Sequence, residues 1–329
     1  MRAWDELIER CAWKRRRKLG GLSDEAYEEL LLAVHRDPAS FVDDEPEAAL
    51  LRLARALDAY QSKLGDDDLL DDRAYERARA RRLSALAAEC RAALELDPEC
   101  LDALVVMLMA SEPNPDAVLD QLEAAELRDW GTPALDPVRM EVARSRPDHG
   151  WDCVFARPRL RLLAALSRTC LETARFRKAL DYAGQAMAWD PEDHVEARHT
   201  ATLALARLED EEGFNALDAR FAQEATPWTH LGRALLLAKL GRTTAARRAL
   251  RGYDSLCQGG AYALLRPTFV ERYLPDRPDG DPCGFTRCLC CVHEAEPVIA
   301  DVPDFVHWCE GQEWFVESAH RWAAAQGGW

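Results

Sequence analysis

Residues 160–193 read LRLLAALSRTCLETARFRKALDYAGQAMAWDPED. Ala179, Ala183 and Ala186 lie on one face of a helical stretch that ends at Asp190-Pro191. Proline cannot continue a helix and disfavours the helical conformation in the residue before it. Each Asp-Pro pair is therefore expected to stop one helix and open the next. The same punctuation closes two other stretches. Ala26, Leu30, Ala33 and Pro38 share the spacing of Ala179, Ala183, Ala186 and Pro191, and Leu86, Cys90, Ala93 and Pro98 repeat it with one larger residue. The first and third members of each set are seven residues apart, two turns along one face. Small side chains there let a neighbouring helix come close, which points to stacked helical hairpins.

Composition agrees with an all-α chain. Ala, Leu, Arg and Glu dominate the 329 residues, and all four form helices well. Runs of the β-branched residues that favour strands are nearly absent. Ser23 is an N-cap candidate before Tyr27, Leu30, Leu31 and Val34 at helical spacing. Glu45-Pro46 starts another helix, with Leu50, Leu53, Leu57 and Tyr60 on one face. The expected organisation is a helical region with one degenerate repeat over 1–64 and a second repeat region over 65–125. An irregular insertion over 126–157, a central array over 158–260 and a tryptophan-rich helical cap over 261–329 follow. The expected fold is an α-α superhelix of hairpins.

These motifs resemble the tetratricopeptide repeat, a 34-residue helical hairpin. Leu163, Leu166, Ala179, Ala186 and Pro191 carry the match, with Ser167 and Cys170 in place of the usual Gly and Tyr. Trp228 to Leu235 (WTHLGRAL) reproduces the repeat's opening, and Trp13, Gly21, Ala26, Ala33 and Pro38 mark a first repeat. Residues 151–249 also resemble bacterial relatives of the suppressor of tumorigenicity seven family, through Ala156-Arg157-Pro158, Asp190 to Asp193 and Arg198. That family's run over Asp190–Glu196 ends in a glycine, which this chain lacks. The resemblance implies protein binding and no enzymatic activity. In tetratricopeptide arrays the second, fifth, ninth and twelfth positions of each first helix line a concave groove. Carried over, they give Arg161, Ala164, Arg168 and Leu171, then Val195, Arg198, Thr202 and Leu205, then Thr229, Arg233 and Leu236. Arginine clamps carboxylates with a rigid pair of donors. The resemblance thus implies a scaffold or adaptor whose groove takes a protein or acidic peptide on Arg161, Arg168, Arg198 and Arg233, with Thr202 beside them.

The other candidate chemistry is weaker. The formal charge of −16 disfavours a phosphate backbone as partner. The basic run Lys14 to Lys18 sits where cations complement a helix C-terminus, so it is expected as a solvated helix end. Asp66-Asp67-Asp68 with Asp71-Asp72 lacks the alternating ligands of a calcium loop, and Asp71 or Asp72 is expected as an N-cap. Cys283, Cys288, Cys291 and His293 supply enough ligands for zinc, but not at the usual Cys-x2–4-Cys spacing. A zinc-binding regulatory protein is the alternative function, against small buried thiols at packing positions. No phosphate loop, nucleophile elbow or His-Glu-x-x-His motif is present, so no catalysis and no cofactor are expected. Eleven irregularly spaced cysteines point to reduced thiols. No membrane span or signal peptide is recognisable, and the expected location is the cytoplasm. Arg outnumbers Lys, which together with the alanine content points to a GC-rich bacterial genome.

Overall fold

The computed structural model describes residues 3–64, 70–128, 150–221, 225–271 and 273–326. They are helical, with no strand among them. The acidic run Asp66-Asp67-Asp68 and most of the expected insertion over 126–157 lie outside the described residues. None of the helices is long and apolar enough to cross a membrane.

The chain divides into two compact units, 1–162 and 163–329. The first holds α1 (Ala3–Lys18), α2 (Asp24–Arg36), α3 (Glu45–Gln61), α4 (Asp72–Leu96), α5 (Leu101–Ser111) and α6 (Pro115–Glu126). Helix α7 (Arg157–Glu172) contains the boundary. The second unit continues with α8 (Phe176–Trp189), α9 (Ala197–Leu208), α10 (Glu211–Arg220), α11 (Pro227–Lys239) and α12 (Thr243–Leu256). Five shorter or terminal helices follow: α13 (Gly260–Leu265), α14 (Phe285–Glu294), α15 (Glu296–Ile299), α16 (Phe305–Glu310) and α17 (Glu313–Ala325). Consecutive helices pack in pairs, among them α3 with α4, α4 with α5, α8 with α9 and α11 with α12. This is the α-α hairpin architecture expected from the Asp-Pro punctuation.

The helix ends follow from local chemistry. Asp37, Asp97 and Asp190 are the C-caps of α2, α4 and α8, each in front of its proline. The next full helix opens later than proline alone suggests, since α5 starts at Leu101 and α9 at Ala197. Ser23, Asp44 and Asp71 accept from backbone N–H groups two or three positions into α2, α3 and α4. The small residues behave as expected where a further helix covers them. Ala179, Ala183 and Ala186 are fully buried on α8, as are Cys90 and Ala93 on α4. On α2 the equivalent Ala33 is exposed and only Val34 is buried, because α2 packs mainly on α1 and the short turn Pro38–Phe41.

Two contacts set the helix spacing in the second unit. Ser167 donates from Oγ to the Ala179 carbonyl at 2.8 Å, tying α7 to α8. At Gly232 on α11, a Cβ would stand 3.1 Å from Thr202 Cγ2, so glycine permits the approach of α9. The basic run of α1 is tied to its neighbours. Lys14 pairs with Asp44 and Glu47, Lys18 with Asp43, and Arg16 with Asp24 while stacking on Tyr27.

Candidate functional site

Each of the groove arginines expected from the repeat pattern already has partners within the chain. Arg161 is only 1% exposed, inside the first unit. Its Nε and Nη2 donate to Asp102 at 2.8 and 2.7 Å, and its Nη1 and Nη2 donate to Glu6 at 2.6 and 2.8 Å. Burial alone would weaken the charged guanidinium, but Asp102 and Glu6 more than compensate and hold its pKa well above the usual value. Four donor contacts to two internal carboxylates leave no fork for a ligand, so Arg161 is a core ion triad and not a groove residue.

The remaining groove arginines lie in the second unit and face different neighbours. Arg198 sits 3.8 Å from Asp193 and stacks on Phe221. Arg233 donates to Asn215 and to Asp218 and lies over Phe214 of α10. Thr202 is buried against Gly232 and donates its hydroxyl to the Arg198 carbonyl. Arg168 is buried beneath the non-helical segment that joins α13 to α14, where it donates to the Pro275 carbonyl and lies over the Tyr273 ring. Burial and the nearby charge of Arg277 bring its pKa down to about 10, so it stays protonated at neutral pH.

That joining segment is the feature the sequence did not announce. It brings Arg277 against α9, α11 and α14. The Arg277 guanidinium donates Nε and Nη2 to the two Glu294 oxygens, each at 2.7 Å, Nη1 to the Glu196 carbonyl at 2.8 Å, and Nη2 to Thr200 Oγ1 at 3.0 Å. Glu294 also accepts the Trp228 indole N–H at 3.0 Å. The Trp228 ring is the centre of the assembly. His199 stacks on it with ring centroids 4.3 Å apart and planes 7° from parallel. The guanidinium groups of Arg287 and Arg277 lie 4.7 and 5.3 Å from its centroid. Arg287 also pairs with the Glu196 carboxylate and reaches His199 Nε2. Burial raises the Glu294 carboxyl, but the charge and hydrogen bonds of Arg277 outweigh it, and the net pKa lies below the usual carboxylate range.

Glu196 has φ of 54°, in the left-handed region that L side chains rarely adopt. Such strain costs on the order of 1–3 kcal/mol and persists where surroundings over-determine it. Here both ends of the residue are held, the carbonyl by Arg277 and the carboxylate by Arg287. Two arginines thus stand in for the conformational freedom of a glycine.

His199 provides a pH test. Burial is the main cause that brings its pKa down to about 4, with the Glu196 carboxylate acting the other way. The neutral ring is therefore favoured in the fold. Stability from this residue is complete above the unfolded value of about 6.5 and is lost as pH falls toward 4, because the unfolded chain takes up the proton first. Between pH 7 and pH 5 wild type is expected to lose about 2 kcal/mol more than a His199→Phe variant, which keeps a stacked ring. Urea midpoints of both proteins at the two pH values check this.

The expected zinc ligands do not share one environment, and Cys283 lies before α14. Cys288 and Cys291 are fully buried, whereas His293 is exposed beside Glu296. Among the described residues no group of three or more His, Cys, Asp or Glu is arranged to hold a metal ion. Cys283 and Cys288 instead meet Cys257, which lies 26 positions before Cys283 and belongs to no recognisable motif. No family model, curated protein or solved structure matches this chain.

Proposed function

We propose that the chain is a non-enzymatic scaffold of tetratricopeptide-like hairpins that holds an extended, arginine-bearing segment of a partner protein on the face of α7, α9 and α11. The observation that carries this is Arg277. A non-helical segment already lies against that face, anchored by one guanidinium on Glu294, the Glu196 carbonyl, Thr200 and Trp228. A carboxylate, a carbonyl and an indole face together form a slot for a guanidinium. The acidic peptide expected from the groove arginines loses its basis, since those arginines already have partners within the chain. An acidic chain of charge −16 also attracts cationic partners over distance. The bacterial, cytoplasmic setting belongs to the same proposal.

The resident segment competes with any partner at the effective concentration of an attached ligand, about millimolar for short connections. Loosening it should therefore raise affinity for a free copy. The test is fluorescence anisotropy of a labelled synthetic peptide spanning residues 273–281. An Arg277→Ala protein should bind it at concentrations where wild type does not, and a peptide with Ala in place of Arg277 should not bind. If Arg277→Ala does not fold by circular dichroism, Arg277→Lys takes its place. A folded variant that ignores the peptide would overturn the proposal.

A further inference from the structure

The segment that carries Arg277 ends in a tight turn against the end of α12. Gly284 N–H donates to the Asp281 carbonyl at 2.8 Å, and Cys283 N–H to Asp281 Oδ1 at 3.0 Å. The turn is docked on Gln258, whose backbone N–H donates to the Cys283 carbonyl at 2.8 Å and whose side chain donates to Asp281 at 3.0 Å. This pairing sets the backbones of 257–258 and 283 side by side. A disulfide needs its two Cα atoms within about 4.4–6.8 Å and the side chains turned toward each other. The backbone pairing of Gln258 with Cys283 makes that approach available, and the Cys257 and Cys283 thiols lie within each other's electrostatic reach; Cys283 Sγ, which donates to the Ala225 carbonyl at 3.2 Å, turns from that acceptor to meet Cys257.

The three thiols are not equivalent. Cys257 and Cys288 are buried, and Cys283 is the partly exposed member. Cys288 lies 3.5 Å from the Gln258 carbonyl, to which it donates. Cys283 is therefore the thiol an oxidant reaches first, with Cys257 a buried neighbour. We propose that Cys257 and Cys283 are a redox-modifiable pair that closes to a disulfide when the protein meets a hydroperoxide, covalently pinning the end of the Arg277 segment to α12.

The chemistry balances in two steps. The Cys283 sulfur attacks the peroxide O–O bond, giving a sulfenic acid and releasing the alcohol, or water from hydrogen peroxide. The Cys257 sulfur then attacks the sulfenic sulfur, forming the S–S bond, and the hydroxyl leaves with a proton as water. Two thiols lose two electrons and two protons, and the peroxide takes them up. Burial raises the Cys283 thiol, with a hydrogen bond from Cys257 acting the other way, so attack is slow and needs excess oxidant. The proposal does not depend on what the Arg277 face binds.

The test uses the whole chain, treated with excess hydrogen peroxide, alkylated and digested without reductant for mass spectrometry. The expected product is a crosslinked peptide pair joining Cys257 and Cys283, lost on treatment with dithiothreitol. It should be absent from a Cys283→Ser variant and retained by Cys288→Ala. Hydrogen exchange over 273–283 should slow on oxidation of wild type and not of Cys283→Ser. A bond between Cys283 and Cys288, a sulfinic acid at Cys283 without a crosslink, or unmodified Cys257 and Cys283 would each overturn the proposal. Cys283 is partly exposed, so its serine variant is expected to fold, and the wild-type map needs no variant at all.

Discussion

Replacing Arg161 with alanine should cost the first unit about 3–5 kcal/mol, because it leaves Glu6 and Asp102 as buried carboxylates without a counter-charge. The Coulomb attraction that the pair of acids gains from one guanidinium is only part of that loss. The larger part is the desolvation of two charges, each at most 3% exposed, that no longer has any return. Urea denaturation followed by circular dichroism should show unfolding begin at a markedly lower urea concentration. A triple replacement, Glu6→Leu with Asp102→Leu and Arg161→Met, should recover most of the loss, since exchanging a whole buried ion cluster for apolar groups of similar volume is often neutral. If the single and triple variants unfold alike, the triad acts through packing and not through charge.

Trp228→Ala is the second large effect, about 3–5 kcal/mol in the second unit for the cavity left by a fully buried indole. More than volume is lost. Glu294 loses a donor, His199 loses its stacking surface, and Arg277 and Arg287 lose the ring face that offsets their burial. Trp228→Phe separates these contributions. It keeps an aromatic face, removes the N–H donor and leaves a smaller cavity than alanine, and Glu294 remains bound to Arg277, so a cost of about 1–2 kcal/mol is expected. Urea midpoints of the two variants decide it. Equal losses would mean that the ring face contributes little and the hydrogen bond to Glu294 most. The alanine variant should also loosen the Arg277 segment, visible as faster hydrogen exchange over 273–283.

The sequence by itself determined where the helices before each Asp-Pro end and which face of α8 is buried. Asp-Pro stops are local, acting on the conformation of one or two residues. The alanines of α8 announce close packing because helical periodicity puts them on one face wherever the helix lies. Ser23 and Asp71 were recognisable as caps from equally local chemistry. Only the tertiary structure decided what the arginines do. Arg161 meets Glu6 across 155 residues of sequence, and Arg168 meets Pro275 across 107. No periodicity encodes such a pairing. A long side chain with five donors takes whichever carboxylates and carbonyls the fold brings within reach, and burial makes leaving any of them unpaired costly. Of the expected groove positions Val195 precedes its helix, and a segment from about a hundred residues away covers Arg168. Arg277 and Glu294, which share no motif, become the anchor of the site because packing removes water from both at once.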